Sequence, residues 1–279
     1  MQDYTKVSVL IVGAGPAGLA AGITAKRLNP KAEVCIIDKA AGPGNHNLSG
    51  AALEAKALAK LLDPVDPAWR DSDDAKAALV AAVDKDDMLF FAGRKAAIPI
   101  LPMLKIARGM KLVFGQMIHE GDYICSVSKL TAWLCRVAIS AGVEVLHGFA
   151  AEDILWDSAL HRAVGVRLVD QGRNKEGHKE RNCLAGETIT AEAVILAEGC
   201  DGLLSEKFIQ KAGLVRQGTQ LYSIGVKELI RVSDEQYQKF TPGRVVHAMG
   251  WPLWTPVIGP AMFGGGIMYP VGENRIAVG

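Results

Sequence analysis

Little in this chain of 279 residues points to a metal centre, a membrane span or a nucleic-acid footprint. Its five cysteines, Cys35, Cys125, Cys135, Cys183 and Cys200, form no C-x-x-C pair, and their spacing suits neither a zinc site nor a compact iron-sulfur ligand set. Buried free thiols are expected, with Cys200, just after a strand, the one closest to any chemistry. The six histidines show neither H-E-x-x-H nor an i, i+4 pair, so no metal ligand is assigned and each is expected on the surface or in the core. Lys and Arg number 31 against 30 Asp and Glu, a balance that leaves no global attraction for nucleic acid. No run of about 18 apolar residues is present to cross a bilayer. No charged-then-apolar leader precedes the first strand, which begins by Val7, as expected of a chain in a cytoplasm-like compartment.

What is present is glycine in a particular order. The apolar run from Val7 reads as a buried strand that breaks into Gly13-Ala14-Gly15-Pro16-Ala17-Gly18 and continues as a small-residue helix. Gly13 permits a tight turn, Gly15 lets backbone approach a pyrophosphate, and Gly18 lets helix and strand pack closely, with free N–H groups facing the phosphates. A second strand, Glu33 to Asp38, ends in a carboxylate 25 residues after Gly13, where ribose hydroxyls can be bound. Strand, turn, helix and acid together form a βαβ dinucleotide fingerprint, which does not by itself separate FAD from NAD. Its place near the N-terminus suits FAD.

Further along, the glycine-rich loop 41–50 implies backbone in close approach to something. Helices are predicted over Leu53–Leu62, Ala75–Val83 and Ser128–Ala141, and strands over Val143–Leu146, Phe149–Leu155, Ala163–Val169 and Thr188–Ala197. Residues 170–182 read as an exposed hairpin tip. From Leu203 onward long strands are expected, at Leu221–Ile230, Arg244–Met249, Met262–Tyr269 and Arg275–Val278, forming an antiparallel substrate sheet. Between Met88 and His119 five cations (Arg94, Lys95, Lys105, Arg108, Lys111) and no acid are interleaved with apolar residues. That pattern suits either an anionic bilayer surface, where each cation contributes on the order of 1 kcal/mol, or a solvated loop broken by Pro99 and Pro102.

The fingerprint, the loop Gly44-Asn-His46-Asn-Leu48-Ser49-Gly50-Ala, Gly148-Phe-Ala-Ala151-Glu, Ala197-Glu198-Gly199-Cys200, Gly225-Val-Lys227-Glu228-Leu, Pro242-Gly-Arg244-Val-Val-His247 and Gly250-Trp251-Pro252-Leu253 occur in one order. They resemble the electron-transfer flavoprotein:ubiquinone oxidoreductase family from Val7 to the end, within the wider FAD-dependent class of p-hydroxybenzoate hydroxylase and geranylgeranyl reductase. The resemblance implies a Rossmann-like α/β FAD-binding domain with a parallel sheet, plus an antiparallel quinone domain. The FAD domain would take residues 1–87 and 123–202, a membrane-facing segment 88–122, and the quinone domain 203–279.

It also implies FAD, electron transfer from reduced electron-transfer flavoprotein to ubiquinone, and no acid-base triad. The setting would be peripheral, on the cytoplasmic face of a bacterial inner membrane or, in a eukaryote, at the mitochondrial inner membrane. Gly13, Gly15 and Gly18 would meet the pyrophosphate and Asp38 the adenosine ribose, with Ala14, Ala17 and Lys39 also among the cofactor-binding residues. Leu48, Ser49 and Gly50 would lie beside the flavin ring, Ala151 would meet adenine through its backbone, and Asp201 and Gly202 would touch the ribityl-pyrophosphate region. Gly250 and Trp251 would line a quinone pocket, although Trp251 also reads as a plain core aromatic. The family's C-terminal portion, with a second FAD segment and the four cysteines of a [4Fe-4S] cluster, has no counterpart in this sequence, so no cluster is expected here. A reductase or hydroxylase of the wider class, and a non-catalytic FAD-domain piece that needs a partner chain, remain open alternatives.

Overall fold

A computed structural model describes residues 5–48, 52–111, 118–222, 224–252 and 264–279. The chain forms two compact units, residues 1–48 with 127–220, and 49–126 with 221–279. Elements are numbered along the whole chain.

The first unit contains β1 (Thr5–Val12), α1 (Pro16–Leu28), β2 (Val34–Asp38), α5 (Val127–Ser140), β8 (Glu144–His147), β9 (Ala151–Asp157), β10 (Arg162–Leu168), β11 (Gln171–Arg173), β12 (Lys179–Leu184), β13 (Thr188–Leu196) and α6 (Leu203–Lys211). Its main sheet has the order β8-β2-β1-β13-β10-β9. The first four strands of that order run parallel, and β10 and β9 are antiparallel. Leu10, Ile11, Ile36 and Ile37 are fully buried, as apolar runs in parallel strands must be. Burial contributes roughly 1.5–3 kcal/mol for each such side chain.

Helix α1 starts at Pro16, whose missing N–H costs nothing at a helix start, and presents Gly18, Leu19, Gly22 and Ile23 to the interior. At its other end Lys26 Nζ donates to the carbonyls of Pro30 and Ala32 at 3.0 and 2.9 Å, a cation placed where the helix dipole is negative. Strands β11 and β12 pair as a separate ribbon, so 171–184 is not only a tip. Helix α6 replaces the strand texture expected from Leu203. Leu204 is buried and Phe208 packs against the core one turn later, an i, i+4 pair that marks a helix.

The second unit contains β3 (Ala52–Leu53), α2 (Ala55–Leu62), α3 (Asp73–Ala78), β4 (Leu79–Ala82), β5 (Lys85–Gly93), β6 (Ala96–Pro99), α4 (Leu101–Gly109), β7 (Tyr123–Cys125), β14 (Glu228–Arg231), α7 (Asp234–Phe240), β15 (Arg244–Gly250), β16 (Gly265–Gly272) and β17 (Arg275–Val278). Its six-stranded sheet has the order β14-β17-β16-β15-β5-β6, and a small sheet the order β3-β7-β4. Val83, Ile124, Val245, Tyr269 and Ala277 form a buried cluster.

The sheet is antiparallel except for β15 and β5, which run parallel. The alanine-rich helix expected over 75–83 ends at Ala78, because Leu79 to Ala82 pair with β7 instead, and partner strands outweigh alanine's local preference. The strand expected from Leu221 begins only at Glu228, where β17 supplies a partner, and Leu221, Ile224 and Val226 stay exposed. Residues 88–122, read as a segment apart, supply most of β5, with β6 and α4. The divisions at 48, 126 and 220 thus differ from those drawn in sequence at 87, 122 and 202.

Candidate functional site

The carboxyl ends of β1, β2, β8 and β13 open onto one cleft of about 760 Å³ in the first unit, with Val12, Asp38, His147 and Leu196 at its floor. In open α/β sheets the crevice beyond the strand ends collects ligands, since backbone N–H groups and loop side chains converge there.

Its wall is shaped by glycine. Gly13 has φ +107°, and a Cβ there would lie 2.3 Å from the Ala197 carbonyl oxygen; a Cβ on Gly18 would lie 1.8 Å from that of Gly13. Both positions exclude a side chain on contact grounds alone. Gly15 differs: its φ of −74° suits any residue, and an added Cβ would meet nothing nearer than the Asn47 side chain at 3.9 Å. Packing does not require glycine there, and the space it leaves belongs to the cleft. Beyond Gly15 the first N–H groups of α1 have no side-chain cap, so the positive end of the helix faces the cavity.

Asp38 ties the two glycine-rich loops together. Its Oδ2 accepts the N–H of Ala14 at 2.6 Å and its Oδ1 that of Ala40 at 2.7 Å. A carboxylate has about four acceptor positions, so capacity for hydroxyls remains. Opposite, Glu198 accepts the N–H groups of Leu204 and Ser205 at 2.9 and 2.8 Å and the Ser205 hydroxyl at 2.8 Å, capping α6 from the end of β13. Gly202 makes the preceding turn in the left-handed region, at φ 52°.

Of the sequence candidates, Gly13, Ala14, Gly15, Ala17, Asp38, Lys39, Ala151, Asp201 and Gly202 all line this cleft, although they come from four separate stretches. Gly18 stands behind its wall. Leu48 is exposed and outside the lining, and Ser49 and Gly50 fall outside the described residues. Gly250 and Trp251 belong to the second unit. Gly250 is buried at the end of β15 with φ +106°, and Trp251 is 39% exposed with the Arg94 guanidinium 5.7 Å from its ring.

Sequence reasoning missed His147, Phe149, Glu198 and Ser205 as lining residues. The register that pairs Asp38 with His147 puts the latter at the same strand-end level. His147 Nε2 lies 3.7 Å from the Cys135 thiol. Cys200 is exposed at the cleft. Burial raises the Cys35 thiol to about 12, with Glu144 adding to the effect, and raises Cys125 to about 11. Among the described residues no three His, Cys, Asp or Glu side chains are arranged to hold a metal ion.

Residues 11–55 match the NAD(P)-binding Rossmann-like domain family, and residues 222–279 match the family described as ETF-QO, ubiquinone-binding. Along its whole length the chain is similar to the electron transfer flavoprotein-ubiquinone oxidoreductases of Arabidopsis thaliana at 34% identity and Pseudomonas aeruginosa at 33%, and to the probable one of Schizosaccharomyces pombe at 36%. It covers 40% of the first and third and 47% of the Pseudomonas protein.

Among solved structures, a geranylgeranyl bacteriochlorophyll reductase-like protein from Thermoplasma acidophilum shares the fold at TM-score 0.63 and 19% identity, over 99% of this chain and 56% of that one. The flavin-dependent monooxygenase PieE shares it at TM-score 0.59 and 17% identity, over 100% of this chain and 43% of that one. The chain is thus similar over its whole length to electron transfer flavoprotein-ubiquinone oxidoreductases, and it spans less than half the length of the relatives named above.

Proposed function

We propose that the first unit binds FAD and that the chain contributes to electron transfer from reduced electron-transfer flavoprotein to ubiquinone. The observation that carries this reading is the coincidence of one cleft, lined by the fingerprint residues, with sequence similarity to quinone oxidoreductases over the whole chain. The residues present fit a dinucleotide. Gly15 leaves open space at an uncapped helix start where a pyrophosphate is favoured, Asp38 keeps acceptor capacity for ribose hydroxyls, and Ala151 lines the same cleft. Bound there, FAD supplies the chemistry that links one-electron and two-electron carriers. The protein's own part is to hold the dinucleotide, with Lys39, Asp201 and Gly202 completing the wall. Leu48, Ser49 and Gly50 are assigned to the flavin side by family resemblance.

Gly250 and Trp251 are the proposed quinone contacts in the second unit, which carries the family's ubiquinone-binding match. A quinone dissolved in lipid requires contact with a bilayer surface. No described helix is long and apolar enough to cross a membrane. In α4 every residue is at least partly exposed, and exposed Met103, Ile106 and Met110 stand among Lys105, Arg108 and Lys111. A peripheral contact through residues 94–111 is therefore part of the proposal. An iron-sulfur cluster within this chain is not, since four of its cysteines are in the first unit, Cys125 is in the second, and no ligand set is assembled among the described residues.

The test is to load the purified chain with FAD, add reduced electron-transfer flavoprotein and follow reduction of a short-chain quinone analogue. Turnover that is lost in a Trp251→Ala variant still able to bind FAD supports the reading. Tight FAD binding with no electron exchange with either partner overturns the electron-transfer part.

A further inference from the structure

In the second unit two histidines and two aspartates that no motif brings together in sequence meet beneath the six-stranded sheet. Asp86, on β5, has a side chain only 1% exposed. Its Oδ2 accepts the N–H of His119 at 2.7 Å, while Oδ1 is buried, has no hydrogen-bond partner among the described residues, and faces His247 Nδ1 at 4.0 Å. His119 Nδ1 lies 3.1 Å from Asp122 Oδ2, and the two imidazole rings stand 5.0 Å apart at 35°. A buried carboxylate oxygen without a donor is costly, and the nearby imidazoles can cancel that cost by bringing a proton to it.

We propose that Asp86, Asp122, His119 and His247 form a proton-binding site inside the second unit, in which the two imidazoles share a single proton beside the Asp86 carboxylate. One proton gives the Asp86 side chain a cationic neighbour. A second would place like charges on rings 5.0 Å apart in a half-buried space, so it binds only at much lower pH. Burial, and then His119, hold His247 below the ordinary histidine range, against the pull of Asp86.

Tyr269 of β16, with Lys227 Nζ 3.5 Å from its hydroxyl, belongs to the buried cluster of Val245, the β15 residue that pairs with Asp86. Glu120, in the same loop as His119, is held by Lys105 at 2.5 Å. Asp87 and Arg244 pair with each other at 2.6 Å on the strands that carry Asp86 and His247. The site ties the loop at 118–122 to the sheet, since that loop also exchanges backbone hydrogen bonds with Val83 through Gly121 and Asp122. Its protonation state therefore sets how firmly the loop is held.

The experiment follows the imidazole Cε1–H resonances of the intact chain, carrying ¹³C-labelled histidine, between pH 4.5 and 8.5. His119 and His247 should titrate as a coupled pair, each resonance moving in two steps separated by more than one pH unit. His119→Gln should leave His247 with a single step whose midpoint is higher by roughly one pH unit, and Asp86→Asn should lower the pair's first step by a similar amount. Two independent single steps in the wild-type chain overturn the proposal, and so does a His247 midpoint that His119→Gln does not move. If the variants fail to fold, the wild-type curves alone decide, because coupled and independent titrations differ in shape.

Discussion

The Asp38 carboxylate reaches back across 24 residues to the N–H of Ala14 at 2.6 Å, so the acid of the fingerprint holds the glycine turn in place before any ligand arrives. With the Ala40 N–H as its second donor, Asp38 fastens both loops at the cleft. Asp38→Ala leaves two backbone donors without their acceptor and should lower the unfolding free energy of the chain by about 2 kcal/mol, read from denaturant midpoints. Asp38→Asn, which retains one acceptor oxygen, should lose less.

Gly15 and Gly18 stand three residues apart in the fingerprint and should fail in different ways. Gly18→Ala forces a Cβ to within 1.8 Å of the Gly13 carbonyl oxygen and should destabilise the fold by several kcal/mol. Gly15→Ala meets only the Asn47 side chain at 3.9 Å, so the melting temperature should stay within a degree or two. The same substitution should weaken FAD binding at least tenfold by occupying the space at the helix start. Parallel melting and flavin-binding curves for the two variants separate wall from site.

Glu198 should prove a structural cap. Glu198→Ala removes three accepted hydrogen bonds at the start of α6 and should cost about 1–2 kcal/mol, whereas Glu198→Gln should recover part of that. Local hydrogen exchange at Leu204 and Ser205 is the direct readout.

Much of the first unit was legible in the sequence, because each local signal agreed with the tertiary answer. Strand, glycine turn, helix and Asp38 all lie as read, and nine of the thirteen proposed nucleotide contacts line one cleft. The second unit was harder for a physical reason. Its strands form through pairings between distant segments, such as Arg244 beside Lys85 in a parallel register, and no local pattern announces a partner some 160 residues away. Alanines 75 and 78 favour helix, yet Leu79 to Ala82 follow β7. The His119 and His247 pair was likewise invisible, since 128 residues separate two side chains that the fold brings within 5.0 Å.

Stability of the second unit should depend on pH through His247. Its folded pKa is below the unfolded value of about 6.5, so the unfolded chain binds more protons in the interval between them. Stability is therefore fully present above pH 6.5 and falls as pH drops through that interval, by up to about 1.4 kcal/mol per pH unit, levelling off below the folded pKa. His247→Gln should flatten this part of the profile in denaturation measured from pH 5 to 8.

The cysteines should divide by burial. At pH 8, native-state alkylation should label exposed Cys200 first, while Cys35 and Cys125, with thiols raised to about 12 and about 11, should react at least a hundredfold more slowly. Saturating FAD should protect Cys200, which lines the cleft. Peptide mass spectrometry resolves each site.

The most direct measurement is titration of the purified chain with FAD, monitored by flavin fluorescence, beside Gly15→Ala. Quenching should saturate at one FAD per chain, with an affinity at least tenfold weaker in the variant and both proteins equally folded. Absence of saturable binding, or equal affinity in the two, would contradict the assignment of this cleft to the dinucleotide.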